Sequence, residues 1–111
     1  MSDELPVEFR IEERRHGDTV ILTLHGELDL ASSEHVGARL DELRADGAPV
    51  LLDLDALDFM DSSGLRLVLD AAAASDASGW PFSVTHGPEQ VQRLFESTSV
   101  TARLPIVPRP V

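Results

Sequence analysis

Five residues in succession, Val50-Leu51-Leu52-Asp53-Leu54, set one polar side chain among four large aliphatic ones. A strand open to water on one face alternates polar with apolar, whereas a strand covered on both faces loses that alternation. The run therefore predicts a buried strand, and the rest of the chain must be arranged to cover it. Soon after, Asp61-Ser62-Ser63-Gly64 breaks the apolar pattern, and Leu65, Leu67, Val68, Leu69 and the alanines at 71–74 follow. Ala and Leu are the strongest helix formers, and no Pro or Gly interrupts until Gly79, so a helix is predicted over about 63–75. A hydroxyl-rich corner between a rigid strand and a helix start is the candidate functional centre.

At 111 residues and 42% hydrophobic the chain fits one globular domain over 1–111, with loose ends expected at 1–6 and 108–111. It has no cysteine, which removes disulfides, thiol catalysis and thiolate metal sites; no metal or cofactor is expected. A formal charge of −11 argues against nucleic acid and against anionic lipid. It suits a basic protein partner, which it would help to steer, and equally it suits plain solubility. No apolar run reaches the length of a membrane span and residues 1–6 lack a signal peptide's basic and apolar regions, so a cytoplasmic location is expected. All nine basic residues are arginine, a hint, with the many alanines, of a GC-rich bacterial coding sequence.

Before the buried strand, Val7, Phe9 and Ile11 alternate with charged residues, Arg15-His16-Gly17-Asp18 supplies a turn, and Val20, Leu22 and Leu24 resume the alternation. That predicts an antiparallel hairpin. Gly26-Glu27-Leu28-Asp29-Leu30 is expected to break the strand and lead into a helix starting near 31–33. Its apolar stripe is Val36, Leu40 and Leu43, and Asp46-Gly47-Ala48-Pro49 ends it. Strand, helix and the buried strand then form a crossover unit with a parallel pair. After Gly79, Phe82 and Val84 mark another strand. Pro88 stands as a first-turn proline for a short helix facing inward with Val91, Leu94 and Phe95, and 102–107 is expected to add an edge strand. The fold class is α/β, a mixed sheet of about five strands with an N-terminal hairpin and helices from strand–helix–strand crossovers.

The serine corner has three physical readings. Asp and Ser side chains there cap a helix. A nucleophilic serine would need a base and an oxyanion hole, but there is no Gly-x-Ser-x-Gly elbow, and His16, His25, His35 and His86 show no triad spacing. A phosphorylated serine would sit where free N–H groups and the helix dipole favour an anion, and would add about two negative charges beside Asp61.

Phe59-Met60-Asp61-Ser62-Ser63-Gly64-Leu65 after an apolar strand resembles the phosphorylation loop of bacterial anti-sigma-factor antagonists, the STAS-domain family. Gly26-Glu27-Leu28-Asp29 resembles the family's other loop, and Arg93-Leu94-Phe95 its C-terminal helix. The resemblance implies a single STAS-like domain in which Ser62 is phosphorylated and Ser63 helps cap the helix. It also implies that Gly64 gives a tight turn into that helix, and that Glu27, Asp29 and Asp61 belong with the serines to a partner-binding surface. It further implies partner switching: the unphosphorylated chain binds an anti-sigma factor and frees a sigma factor. The anti-sigma factor doubles as an ATP-dependent serine kinase, and a serine phosphatase reverses the modification. On that reading the chain is no enzyme, and any ATP and Mg²⁺ belong to the partner. Arg66 departs from the small residue often found there; it is expected to pair with Asp70 at i+4, or else with the phosphate. The alternatives are a STAS module with no switch (a stress-sensing scaffold or a lipid-transporter accessory subunit) and a small serine hydrolase.

Overall fold

The computed structural model describes residues 8–108. In chain order these hold β1 (Arg10–His16), β2 (Thr19–Leu28), α1 (Leu30–Ala45), β3 (Val50–Asp53), β4 (Leu57–Met60), α2 (Ser62–Ser78), β5 (Phe82–Val84) and α3 (Glu89–Ser97). A single 3-10 turn, Thr101–Arg103, follows α3. β1 and β2 form the antiparallel hairpin, β3 runs parallel to β2, and β5 parallel to β3. β4 runs parallel to the far end of β2, so the five strands make one mixed sheet. Among the described residues no helix is long and apolar enough to cross a membrane.

Local chemistry explains most of these elements. His16 pairs with Thr19, leaving Gly17-Asp18 as a two-residue loop in which Gly17 takes the positive φ, +63°, that tight hairpin turns require. All four residues of β3 are buried, as its largely apolar run predicts. The core lies on one face of the sheet: Val20, Leu22, Leu24, Val50, Leu52 and Val84 form one cluster with Val36, Leu40 and Leu43 of α1, the predicted stripe. Leu65, Val68, Ala71 and Ala72 bring α2 onto the same face, the small alanines permitting a close approach. On the opposite face Ile21, Leu51 and Asp53 are also buried. The Asp53 carboxylate accepts from the hydroxyls of Thr23 (3.3 Å) and Thr85 (3.4 Å) and from the Asp55 N–H (3.0 Å), the partners that a buried charge needs.

The structure corrects four expectations. The strand does not break at Gly26: β2 runs on to Leu28 through Gly26, at φ +103°, and its register with β4 shifts there, Gly26 pairing with Leu57 and Glu27 with Phe59, so that the extra residue, Asp58, lies on β4. The fifth strand is β4 and not 102–107, which makes the 3-10 turn and one bridge, Ile106 to Val84. Pro105 lacks an N–H, so there its carbonyl only accepts, from Val84 N–H at 3.0 Å. Nothing in the sequence marks β4, because Leu57 and Met60 point inward while Asp58 and Phe59 are both exposed. Pro88 is the N-cap of α3 and not its first-turn residue, and of that helix's inward set Leu94 is only half-buried while Val91 and Phe95 are fully buried. Finally, α2 starts at Ser62 and outlasts the expected end at 75, closing at Ser78 on Gly79 in the left-handed region. Val7 and the expected loose ends, Pro108 excepted, lie outside the described residues.

Candidate functional site

β2 and β4 end side by side. Leu28 pairs with Met60, and the Asp61 N–H donates to the Leu28 carbonyl at 3.2 Å. The next residue on each strand is an aspartate, and each aspartate caps the helix that follows it. Parallel pairing thus sets two loops far apart in sequence on one rim, at the carboxyl ends of the strands, where open α/β sheets bind ligands.

At α2, Asp61 Oδ1 accepts from the N–H groups of Ser63 (2.8 Å) and Gly64 (3.3 Å). At α1, Asp29 Oδ1 accepts from Ser32 N–H (3.1 Å) and the Ser32 hydroxyl accepts from Asp29 N–H (2.9 Å), a reciprocal box. The same hydroxyl also lies 2.8 Å from the Glu27 carbonyl, to which it donates. Because the box places serine where Glu or Gln is the usual signature, the start of α1 at Leu30 is not evident from sequence. The Ser32 backbone N–H, and then the Ser32 hydroxyl, hold the Asp29 carboxyl below its ordinary value, against a smaller opposing effect of burial. A carboxyl depressed in the folded state stabilises above its unfolded pKa of about 3.9 and loses that contribution as pH falls through the folded value. Asp29→Ala is therefore expected to lose about 1 kcal/mol at pH 7. Urea unfolding should show the gap to wild type closing as the pH falls below the unfolded value, and a gap that persists in acid contradicts the cap's role.

Ser62 is the first residue of α2 and is exposed; Ser63 behind it is half-buried. Asp61 and not Ser63 supplies the side-chain cap, and no described residue hydrogen-bonds either serine hydroxyl. The base required by a nucleophilic serine is not in contact: His25 bonds Glu12 at 3.0 Å, and His86 bonds the Gly87 carbonyl at 3.2 Å. Among the described residues no group of three His, Asp or Glu could hold a metal ion.

Gly64 is buried beneath the corner. A Cβ there would stand 2.7 Å from Met60 Cγ and 2.9 Å from Leu28 Cδ2, so α2 presses its first turn onto the paired strand ends only because this side chain is absent. Gly64→Ala should cost about 1–3 kcal/mol by overpacking, although alanine is the better helix former by about 1 kcal/mol. A variant as stable as wild type in urea would contradict that packing. From the other side, Gln90 of α3 accepts from Met60 N–H (3.0 Å) and donates to the Met60 carbonyl (3.2 Å). Its amide takes the place of a neighbouring strand along the open edge of β4, directly before the serines. No sequence signal singles out Gln90.

Beside the corner an open groove of about 720 Å³ runs between α1 and α2, lined in part by Leu30, Ser33, Ser62, Arg66 and Arg103. Leu30, 64% exposed, follows Asp29 directly, and Phe59, 41% exposed, precedes Met60. These are the large exposed hydrophobics of the described chain, and both stand near the corner. The expected Arg66–Asp70 pair does not form. An exposed pair offsets little of the side-chain entropy it consumes, and a cation N-terminal to its acid is the weaker order along a helix.

A family model described as "Mlab, STAS domain" matches residues 11–108. An anti-sigma F factor antagonist of Paenibacillus polymyxa is 31% identical over 102 residues, spanning 90% of this chain and 87% of that protein. The anti-sigma factor antagonist SpoIIAA in its unphosphorylated form is similar with a TM-score of 0.72 and 25% identity, over 91% of this chain and 89% of its own. The Bacillus cell fate determinant SpoIIAA in its phosphorylated form shares the fold with a TM-score of 0.68 and 24% identity, over 91% and 92%.

Proposed function

The chain belongs to the STAS-domain family, and on that premise we propose that it is an anti-sigma-factor antagonist whose grip on an anti-sigma factor is switched off by phosphorylation of Ser62. One observation carries the reading: an exposed hydroxyl engaged by no described residue opens α2 on the rim where the β2 and β4 loops meet. A kinase needs such a hydroxyl, and a helix start tolerates the anion it would leave. The antagonist from Paenibacillus polymyxa supports the class of function, and SpoIIAA, solved in both states, supports the switch.

The partner surface consists of Glu27, Asp29, Asp61, Ser62 and Ser63, shaped from beneath by Gly64, with Leu30 as its apolar anchor. Acidic groups around one exposed leucine suit a partner that is basic around an apolar socket. That partner is an anti-sigma factor with serine kinase activity, and a serine phosphatase resets the switch. The chain itself performs no chemistry. Incubation with the cognate kinase and ATP, followed by mass-spectrometric mapping, should place the phosphate on Ser62; modification elsewhere with Ser62 untouched overturns the proposal.

A second reading, a STAS module with no switch, is favoured by the family model's description, which names Mlab and no antagonist. Such a module would keep its partner when Ser62 is modified.

A further inference from the structure

We infer that the phosphate, once on Ser62, is received within this chain by the guanidinium groups of Arg66 and Arg103, an inference that rests on Ser62 being the modified residue. The chain carries 20 acids and nine arginines, so an arginine is seldom short of a carboxylate. Arg39 bonds Glu13 (2.7 Å) and Glu42 (2.9 Å), Arg93 bonds Glu89 (2.8 Å), and Arg44 and Arg10 stand 3.7 and 4.0 Å from Asp41 and Glu12. Arg66 and Arg103 have no such partner among the described residues, and both line the groove that contains Ser62. Arg14 and Arg15 also form no ion pair among the described residues, but they stand on β1, outside that groove.

Arg66 is four residues after Ser62 on the same helix, which places the two on one face with Cβ atoms about 5–6 Å apart. Arg103 reaches the groove from the 3-10 turn, a separate element. A planar guanidinium fork matches two phosphate oxygens, and two forks match the charge of about −2 that the phosphate carries. The opposing charges are Glu34 and Asp70 in the groove wall and Asp76, which lines an adjoining pocket with Arg103, while Asp29 and Asp61 are held on their own helix caps. Two arginines in one groove without a carboxylate partner among the described residues favour an anion there despite the acidic surroundings. The off state is then an ordered, internally neutralised corner as well as a repulsive one.

Phosphoserine installed at position 62 by genetic encoding, so that no kinase is needed, tests this in wild type and in the Arg66→Gln, Arg103→Gln double variant. A ³¹P titration should place the second phosphate pKa of wild type about one unit below the ordinary value of about 6, and the double variant should restore it. The phosphorylated wild type should also melt about 4 °C or more above the phosphorylated double variant, while the unphosphorylated forms melt together. A phosphate pKa that the double variant leaves unmoved overturns the inference, including the case where it is low in both and the helix start alone is responsible. Failure of the functional proposal reads differently: the encoded phosphoserine would then leave partner binding intact, whatever its pKa.

Discussion

Ser62→Asp is expected to weaken capture of the anti-sigma factor by about a hundredfold or more, roughly 2.7 kcal/mol, while moving the unfolding midpoint by less than about 2 °C. The two halves of this expectation have separate causes. The Ser62 hydroxyl makes no hydrogen bond to a described residue and is exposed, so the fold loses nothing with it. A carboxylate at the first position of α2 also lies at the favourable end of the helix dipole. Binding has no such tolerance. Asp61 and Asp29 already set two carboxylates on the rim, and a third must be desolvated against a surface arranged for a hydroxyl; like or uncompensated charge at an interface costs several kcal/mol. Pull-down and calorimetry with the cognate anti-sigma factor, alongside Ser62→Ala as the uncharged control, provide the measurement. Equal binding by wild type and Ser62→Asp contradicts the switch and returns the chain to the non-switching reading.

Gly26→Ala should destabilise the domain by about 3 kcal/mol or more, the largest effect expected of any single methyl group in this chain. Two independent penalties combine. At φ +103° an L side chain is strained by about 1–3 kcal/mol. The added Cβ would also overlap the carbonyl oxygen of Glu8, and the backbone near Phe9 leaves no flexible side chain to move aside, so the strand itself must shift at a cost of about 1–3 kcal/mol more. Because Gly26 leads directly into Glu27 and Leu28, which pair with β4, and then into Asp29, the loss reaches the site as well as the stability. Urea unfolding, with wild-type slope and a lowered midpoint, is the expected result. An alanine variant of wild-type stability would mean that the backbone at Gly26 is not held as described.

Where sequence predicts this protein well, the signal is local or periodic. The hairpin follows from alternation and a Gly-containing turn, β3 from a largely apolar run without alternation, and α1 from Val36, Leu40 and Leu43 on one stripe that the core uses. The serine corner is equally legible, since a capping Asp and two hydroxyls between a strand and an Ala/Leu helix leave few alternatives. What fails is whatever depends on a distant neighbour. β4 is a strand only because β2 offers it an edge and Gln90 satisfies the other, and its own four residues show no period. The stretch 102–107 looks like a strand by itself, yet the chain joins β5 there through a single bridge.

The composition and pattern of this chain determine by themselves an α/β domain with a hydroxyl at a strand-to-helix turn, because propensity, capping and alternation act over a few residues. Tertiary structure alone decides that the Asp29 and Asp61 loops share a rim and that Leu30 and Phe59 are left exposed near it. Those outcomes turn on strand register and on the space between packed helices, set by contacts between residues that the sequence keeps far apart.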